Sequence, residues 1–201
     1  MMNTHVRCSL AAIVLAALSM LTGCATTTVA TTGELLMQPL CQPDATPVSA
    51  VIYWTPHWRV DQKEPALREA AALRGIHEFV GKTPCLTVTA LERLPTATDL
   101  PSDLELQRVA RATSAQPDRV VLVAVRELGP RLTIGLPVLV EGGTEVLFQV
   151  RVLNLRTGET MANTQTVWRN GGPFVIKGVK TLDHDMSAAL RSTLIPGTEA
   201  E

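Results

Sequence analysis

The sequence predicts an α/β (α+β) domain: a mixed parallel/antiparallel sheet built as βαβαβ, then an antiparallel meander and a C-terminal helix. Three observations predict it. Apolar, β-branched runs of strand length alternate with helix-period segments over residues 48–125. Alternating strands separated by glycine-bearing turns fill most of the second half. A last segment with helical spacing closes the chain. The 201 residues, 46% apolar and 18% charged, suit one compact body, residues 45–196. A net charge of −1 gives no steering toward nucleic acid.

Residues 48–54 (VSAVIYW) suit a strand covered on both faces. A helix follows from Asp61 or Glu64, with Pro65 tolerated in its first turn. Leu67, Ala70, Ala71, Leu73 and Val80 are its expected inward side, and Gly81 its stop. Residues 85–91 (CLTVTAL) alternate as a strand. Ser102 and Glu105 form a capping-box pair that starts the next helix, with Leu106, Val109, Ala110 and Thr113 at helical spacing. Residues 119–125 (RVVLVAV) form the most apolar strand, placed centrally.

A hairpin is expected next. Leu132, Ile134, Leu136, Val138 and Val140 alternate on one arm, and Val146, Phe148, Val150 and Val152 on the other. A three-residue loop, Glu141-Gly142-Gly143, pairs Val138 with Val146, Leu136 with Phe148 and Ile134 with Val150, giving one apolar face. A second hairpin turns at Leu155-Arg156-Thr157-Gly158-Glu159 and returns through 160–168. Asn170-Gly171-Gly172-Pro173 should break the sheet, before a helix from Thr181 or Asp183 that turns Met186, Ala189, Leu190 and Thr193 inward. Residues 197–201 are an acidic tail.

Residues 1–23 read as an export signal: Arg7 supplies positive charge, and an apolar run from Leu10 to Leu21 is short for a bilayer span. Leu21-Thr22-Gly23-Cys24 resembles the lipobox of bacterial lipoproteins. That resemblance implies cleavage before Cys24, diacylglycerol on its thiol and a fatty acyl chain (palmitate) on its amine. With Ala25 next and no retaining Asp, it also implies the periplasmic face of the outer membrane. Residues 24–44 are then a lipidated tether, polar over 26–32. Two mature cysteines remain, Cys41 and Cys85; an oxidising compartment favours a disulfide between them, and separate buried thiols are the competing reading.

The lipobox, the βαβαβ half and the Arg156-Thr157-Gly158-Glu159 turn together resemble, over residues 45–195, small periplasmic lipoprotein domains of envelope assembly. These include the curli-secretion lipoprotein, the penicillin-binding-protein activator lipoprotein and the TolB amino-terminal domain. The resemblance implies a non-catalytic module that binds another envelope protein. The strand–helix order is also similar to auxiliary lipoproteins of ABC-type lipid or small-molecule transporters, which implies a ligand in a groove of the sheet.

Candidate contact residues are Trp54, His57 and Trp58, in a cluster holding three of the seven aromatics; Tyr53 is read as core. Asp183-His184-Asp185 looks like a metal cluster, but consecutive helical side chains diverge by ~100°, so cap chemistry explains them better. No hydrolase or phosphate-loop motif is present, and no metal, cofactor or nucleic acid is expected. Oligomers inserting the 132–152 hairpin as a pore are a further reading, opposed by Pro137.

Overall fold

A computed structural model of the chain describes residues 25–197 apart from 43, 98, 114 and 136–138. Strands β1 (Thr26–Glu34), β2 (Val48–Pro56), β3 (Leu86–Arg93), β4 (Arg119–Gly135), β5 (Leu139–Asn154) and β6 (Thr160–Pro173) form one sheet in the order β1-β6-β5-β4-β2-β3. Helices α1 (Pro65–Gly81), α2 (Asp103–Arg111) and α3 (Leu182–Leu194) cover it. β2 runs parallel to β3 and β4, and every other pairing is antiparallel. The α/β class, the βαβαβ start, the meander and the closing helix are as the sequence predicts.

β2 alternates between two cores, which is why it is apolar throughout. Ala50, Ile52 and Trp54 join the larger core under α1 and α3, with Val121, Phe148, Val150 and Met186. Val51 and Tyr53 join the smaller one under α2, with Leu106, Leu122 and Leu153. α2 starts where Ser102 accepts the Glu105 N–H at 3.3 Å. The 155–159 turn closes with Gly158 at φ 78° and its N–H on the Asn154 carbonyl at 2.7 Å.

The segment expected to be a polar tether is instead structure. Thr26–Glu34 pairs along β6 as an edge strand, and further on Leu40 and Cys41 are buried in the larger core. A threonine-rich run lacks apolar alternation because an edge strand here buries little on either face.

The first hairpin also differs. Residues 119–125 and the arm from Leu132 belong to one strand, β4, whose register shifts between Val125 and Glu127. Gly142 and Gly143 lie inside β5, opposite Leu132 and Arg131, and Val150 pairs with Val123 rather than Ile134. β4 ends at Gly135 and β5 begins at Leu139, so the expected pairs of Leu136 and Val138 lie outside the described residues. Pro130 is tolerated because β2 pairs with β4 only as far as Val125, leaving one side of β4 free beyond it. Asn170-Gly171-Gly172-Pro173 continues β6 instead of breaking the sheet. The paired glycines let β5 and β6 approach closely: a Cβ on Gly171 would lie 2.1 Å from the Gly142 carbonyl oxygen.

α1 turns inward a side that overlaps the expected one in part: Ala71 is buried, and Leu73 and Val80 pack half-buried against the larger core. Arg68, Ala71, Ala72, Gly75, Ile76 and Phe79 are buried, while Leu67 and Ala70 are exposed. Arg68 is accommodated because its guanidinium donates to the Leu128 and Lys63 carbonyls.

Candidate functional site

Cys24 lies outside the described residues. Cys41 and Cys85 are disulfide-bonded, their Cα atoms 5.6 Å apart, joining the segment before β2 to the start of β3.

The aromatic cluster is not an exposed patch. Trp54 is only 2% exposed, because β2 continues through it and α1 and α3 cover that face; it is a core residue, not a contact residue. The Arg93 guanidinium carbon lies 5.9 Å from the centre of its ring, at cation–π range. His57 and Trp58 are half-buried. The His57 N–H extends the β2–β4 ladder to the Val125 carbonyl at 2.8 Å, and Trp58 packs on the larger core.

Asp183, His184 and Asp185 diverge to separate partners. Asp183 meets Arg74 at 3.1 Å, His184 Nδ1 meets Glu78 at 2.6 Å and Asp185 meets Lys177 at 2.9 Å. Burial opposes ionisation of Asp183 and of Glu78, but hydrogen bonds and positive neighbours outweigh it and hold both carboxyls below their usual range. These contacts tie α3 to α1 and to the loop before it. Among the described residues no group of three His, Cys, Asp or Glu side chains could hold a metal ion, and no helix is long and apolar enough to cross a membrane.

Two concavities stand out. The first, about 400 Å³, lies at the glycine-rich end of the sheet, where Arg131, Arg169, Glu141 and the threonines of β1 line it. Glu145 accepts from both guanidiniums, Arg131 at 3.3 Å and Arg169 closer still, so neither is a free cation. Nearby, burial pushes the Glu127 carboxyl up against the pull of Arg68 and Arg59. This groove offers hydroxyls and paired charges for polar contacts.

The second, about 260 Å³, lies between α2 and the segment after β3. Leu94, Pro95, Pro101, Leu106 and Val109 make it apolar, and Tyr53 forms part of its lining. Tyr53 is fully buried and its hydroxyl has no hydrogen-bond partner. Burial, with Glu92 adding, pushes that hydroxyl's pKa up, so it stays a neutral donor. β2 lies between β3 and β4, reached through helices on opposite faces, so this pocket borders a topological switch point, where open α/β sheets place ligands. Sequence reasoning assigned Tyr53 to the core and missed the cavity above it.

It also missed an apolar end. Leu132 and Ile134, expected to face the core, are 60% and 70% exposed, and Phe174 and Ile176 are 57% and 85% exposed. Beyond Leu128 the inner face of β4 outruns the core. On the second arm of the 132–152 hairpin, Val146, Phe148, Val150 and Val152 are core residues of the sheet.

No protein-family model matches the chain, and no curated sequence does. Among solved structures it is similar to the PelC dodecamer from Paraburkholderia phytofirmans, with 13% identity over 88% of this chain and 100% of that one, at a TM-score of 0.40. Protein XCC0632 from Xanthomonas campestris is 13% identical over 82% of this chain and 94% of that one, at 0.37. The hypothetical protein CT253 from Chlamydia trachomatis is 12% identical over 61% and 71%, at 0.33. At such identities and TM-scores the likeness carries no functional assignment.

Proposed function

We propose that the chain is a lipid-anchored accessory protein of the bacterial cell envelope, held by acyl chains on Cys24 at the periplasmic face of the outer membrane. Its folded body is a non-catalytic binding module for another envelope protein. One observation carries this reading: a short apolar leader ends in Leu21-Thr22-Gly23-Cys24, two residues before the first strand. The Cys41–Cys85 disulfide supports it, because such bonds persist in oxidising compartments. Several acyl chains at ~0.8 kcal/mol per buried CH₂ would make attachment effectively permanent. Intact mass spectrometry of the native product is expected to find residues 1–23 removed and a diacylglycerol-bearing, N-acylated Cys24. An intact leader or a free thiol at Cys24 would overturn the reading.

A second reading, an auxiliary lipoprotein of an ABC-type lipid or small-molecule transporter, is favoured by the apolar pocket at Tyr53. Its volume lies just below the ~300–1,000 Å³ usual for ligand sites, so it suits a short apolar chain with one acceptor for the Tyr53 hydroxyl. Titration with 1-hexanol is expected to shift the methyl resonances of Leu106 and Val109. Tyr53→Phe should weaken that binding about tenfold, as loss of one buried hydrogen bond does. Unmoved methyls would remove the pocket from consideration.

A further inference from the structure

We infer that the projecting end of the sheet, carrying Leu132, Ile134, Phe174 and Ile176, lies against the bilayer and dips these side chains into the headgroup–acyl boundary. The inference rests on the reading of Cys24 as the acylated residue and deepens it, by fixing which end of the body meets the lipid.

Strand direction is the first argument. Thr26, the first residue of β1, pairs with Gly171; Gly171 pairs with Gly143, and Gly143 with Arg131. Followed toward its N-terminus, β1 therefore runs to the end where the β4–β5 arm projects. Cys24 precedes Thr26 by two residues, a reach of at most ~7 Å. Three strand spacings of ~4.8 Å separate β1 from β4. Acyl chains at Cys24 would hold this end to the membrane.

The surface itself is the second. Three of the four residues are tied to one another through the backbone, and Ile176 follows Phe174 by two residues: Ile134 pairs with Val140, whose carbonyl accepts the Phe174 N–H at 2.8 Å. Gly142, opposite Leu132, lies under the Val175 carbonyl, where a Cβ would meet that oxygen at 1.9 Å. Phe174 adopts φ 59°, a left-handed conformation unusual for a bulky residue, and its side chain is exposed there. Contiguous exposed apolar side chains of this kind mark contact sites.

Charge selects the mode of contact. Arg131 and Arg169 are balanced at this end by Glu141 and Glu145. Attraction is thus apolar and needs no anionic lipid.

The test places the full-length lipidated protein in vesicles of dibrominated phosphatidylcholine, with Ile134→Trp or Leu104→Trp as the reporter. Both positions are exposed, so each variant should keep the fold. Leu104 lies in the first turn of α2, whose Asp103 pairs with Arg151 eight residues along β5 from Gly143, about 26 Å at ~3.3 Å per residue. Emission added by Ile134→Trp is expected to fall roughly twofold against unbrominated vesicles, insensitive to salt, while that from Leu104→Trp stays constant. An acylated Cys24 with Ile134→Trp unquenched, or both reporters quenched alike, overturns the inference and leaves the lipoprotein reading standing; protection of this end by a protein instead gives the unquenched result. A non-acylated Cys24 overturns both.

Discussion

Replacing Cys41 and Cys85 together with alanine is expected to lower folding stability by about 4 kcal/mol, the chain-entropy value for a closed loop of this size. The bond spans 44 positions and encloses β2 and α1. What it secures otherwise has few ties: Leu40 donates to the Leu194 carbonyl at 2.8 Å, and Val48 to the Cys85 carbonyl at 2.9 Å. Leu40 and Cys41 are nonetheless buried against the larger core. Opening the bond therefore expands the unfolded ensemble and frees a segment that plugs the native core. Urea titration of the double variant should show a lower midpoint, with a slope equal to or steeper than the parent's as the unfolded chain exposes more surface. Reductant should move the parent toward the same midpoint. An unchanged midpoint would show that the linkage contributes nothing.

The sequence was most legible where one local signal had one structural meaning. The run at 48–54 needed two covered faces, and Ser102 with Glu105 needed a helix start; both are found as expected. Residues 119–135 were harder. Val121, Val123 and Val125 are odd-numbered, whereas Leu128 is even, yet all four join the larger core. That change of parity is the signature of the bulge between Val125 and Glu127, and by local pattern alone it looks the same as a break between strands. Likewise the even-numbered alternation runs from Val140 through Thr144 to Val146 and Phe148, so Gly142 could have been read as an interior position. Glycine pairs suggest turns by local preference; here their use is close approach to a second glycine pair, which is a tertiary fact. Trp54 was misplaced for a similar reason, since aromatic clustering says nothing about whether helices cover a strand's end. Exposure of Leu132 and Ile134 depends on where α1 and α3 stop, and no pattern within β4 encodes that.

Gly75→Ala is expected to destabilise the fold by about 1–3 kcal/mol, the range for overpacking a tight interior, against the direction of helix propensity. In an isolated helix, alanine would be preferred at this position by about 1 kcal/mol. Gly75, however, sits where α1 crosses the first turn of α3. An added Cβ would lie 2.6 Å from the Asp183 carbonyl oxygen and 2.6 Å from the Met186 Cβ. A backbone oxygen and a Cβ cannot swing aside as a side-chain tip can, so α3 must move away. That displacement also stretches the Arg74–Asp183 and Glu78–His184 contacts and loosens Met186 from the core. Gly81, at the end of the same helix, has nothing within 4 Å of an added Cβ, so Gly81→Ala should leave stability unchanged or raise it by up to about 1 kcal/mol. Urea midpoints of the two variants should therefore move apart, Gly75→Ala below the parent and Gly81→Ala at or above it. Equal midpoints would mean that the α1–α3 crossing has room for a methyl group, and that the small residues on the inner side of α1 are not what lets the helices meet.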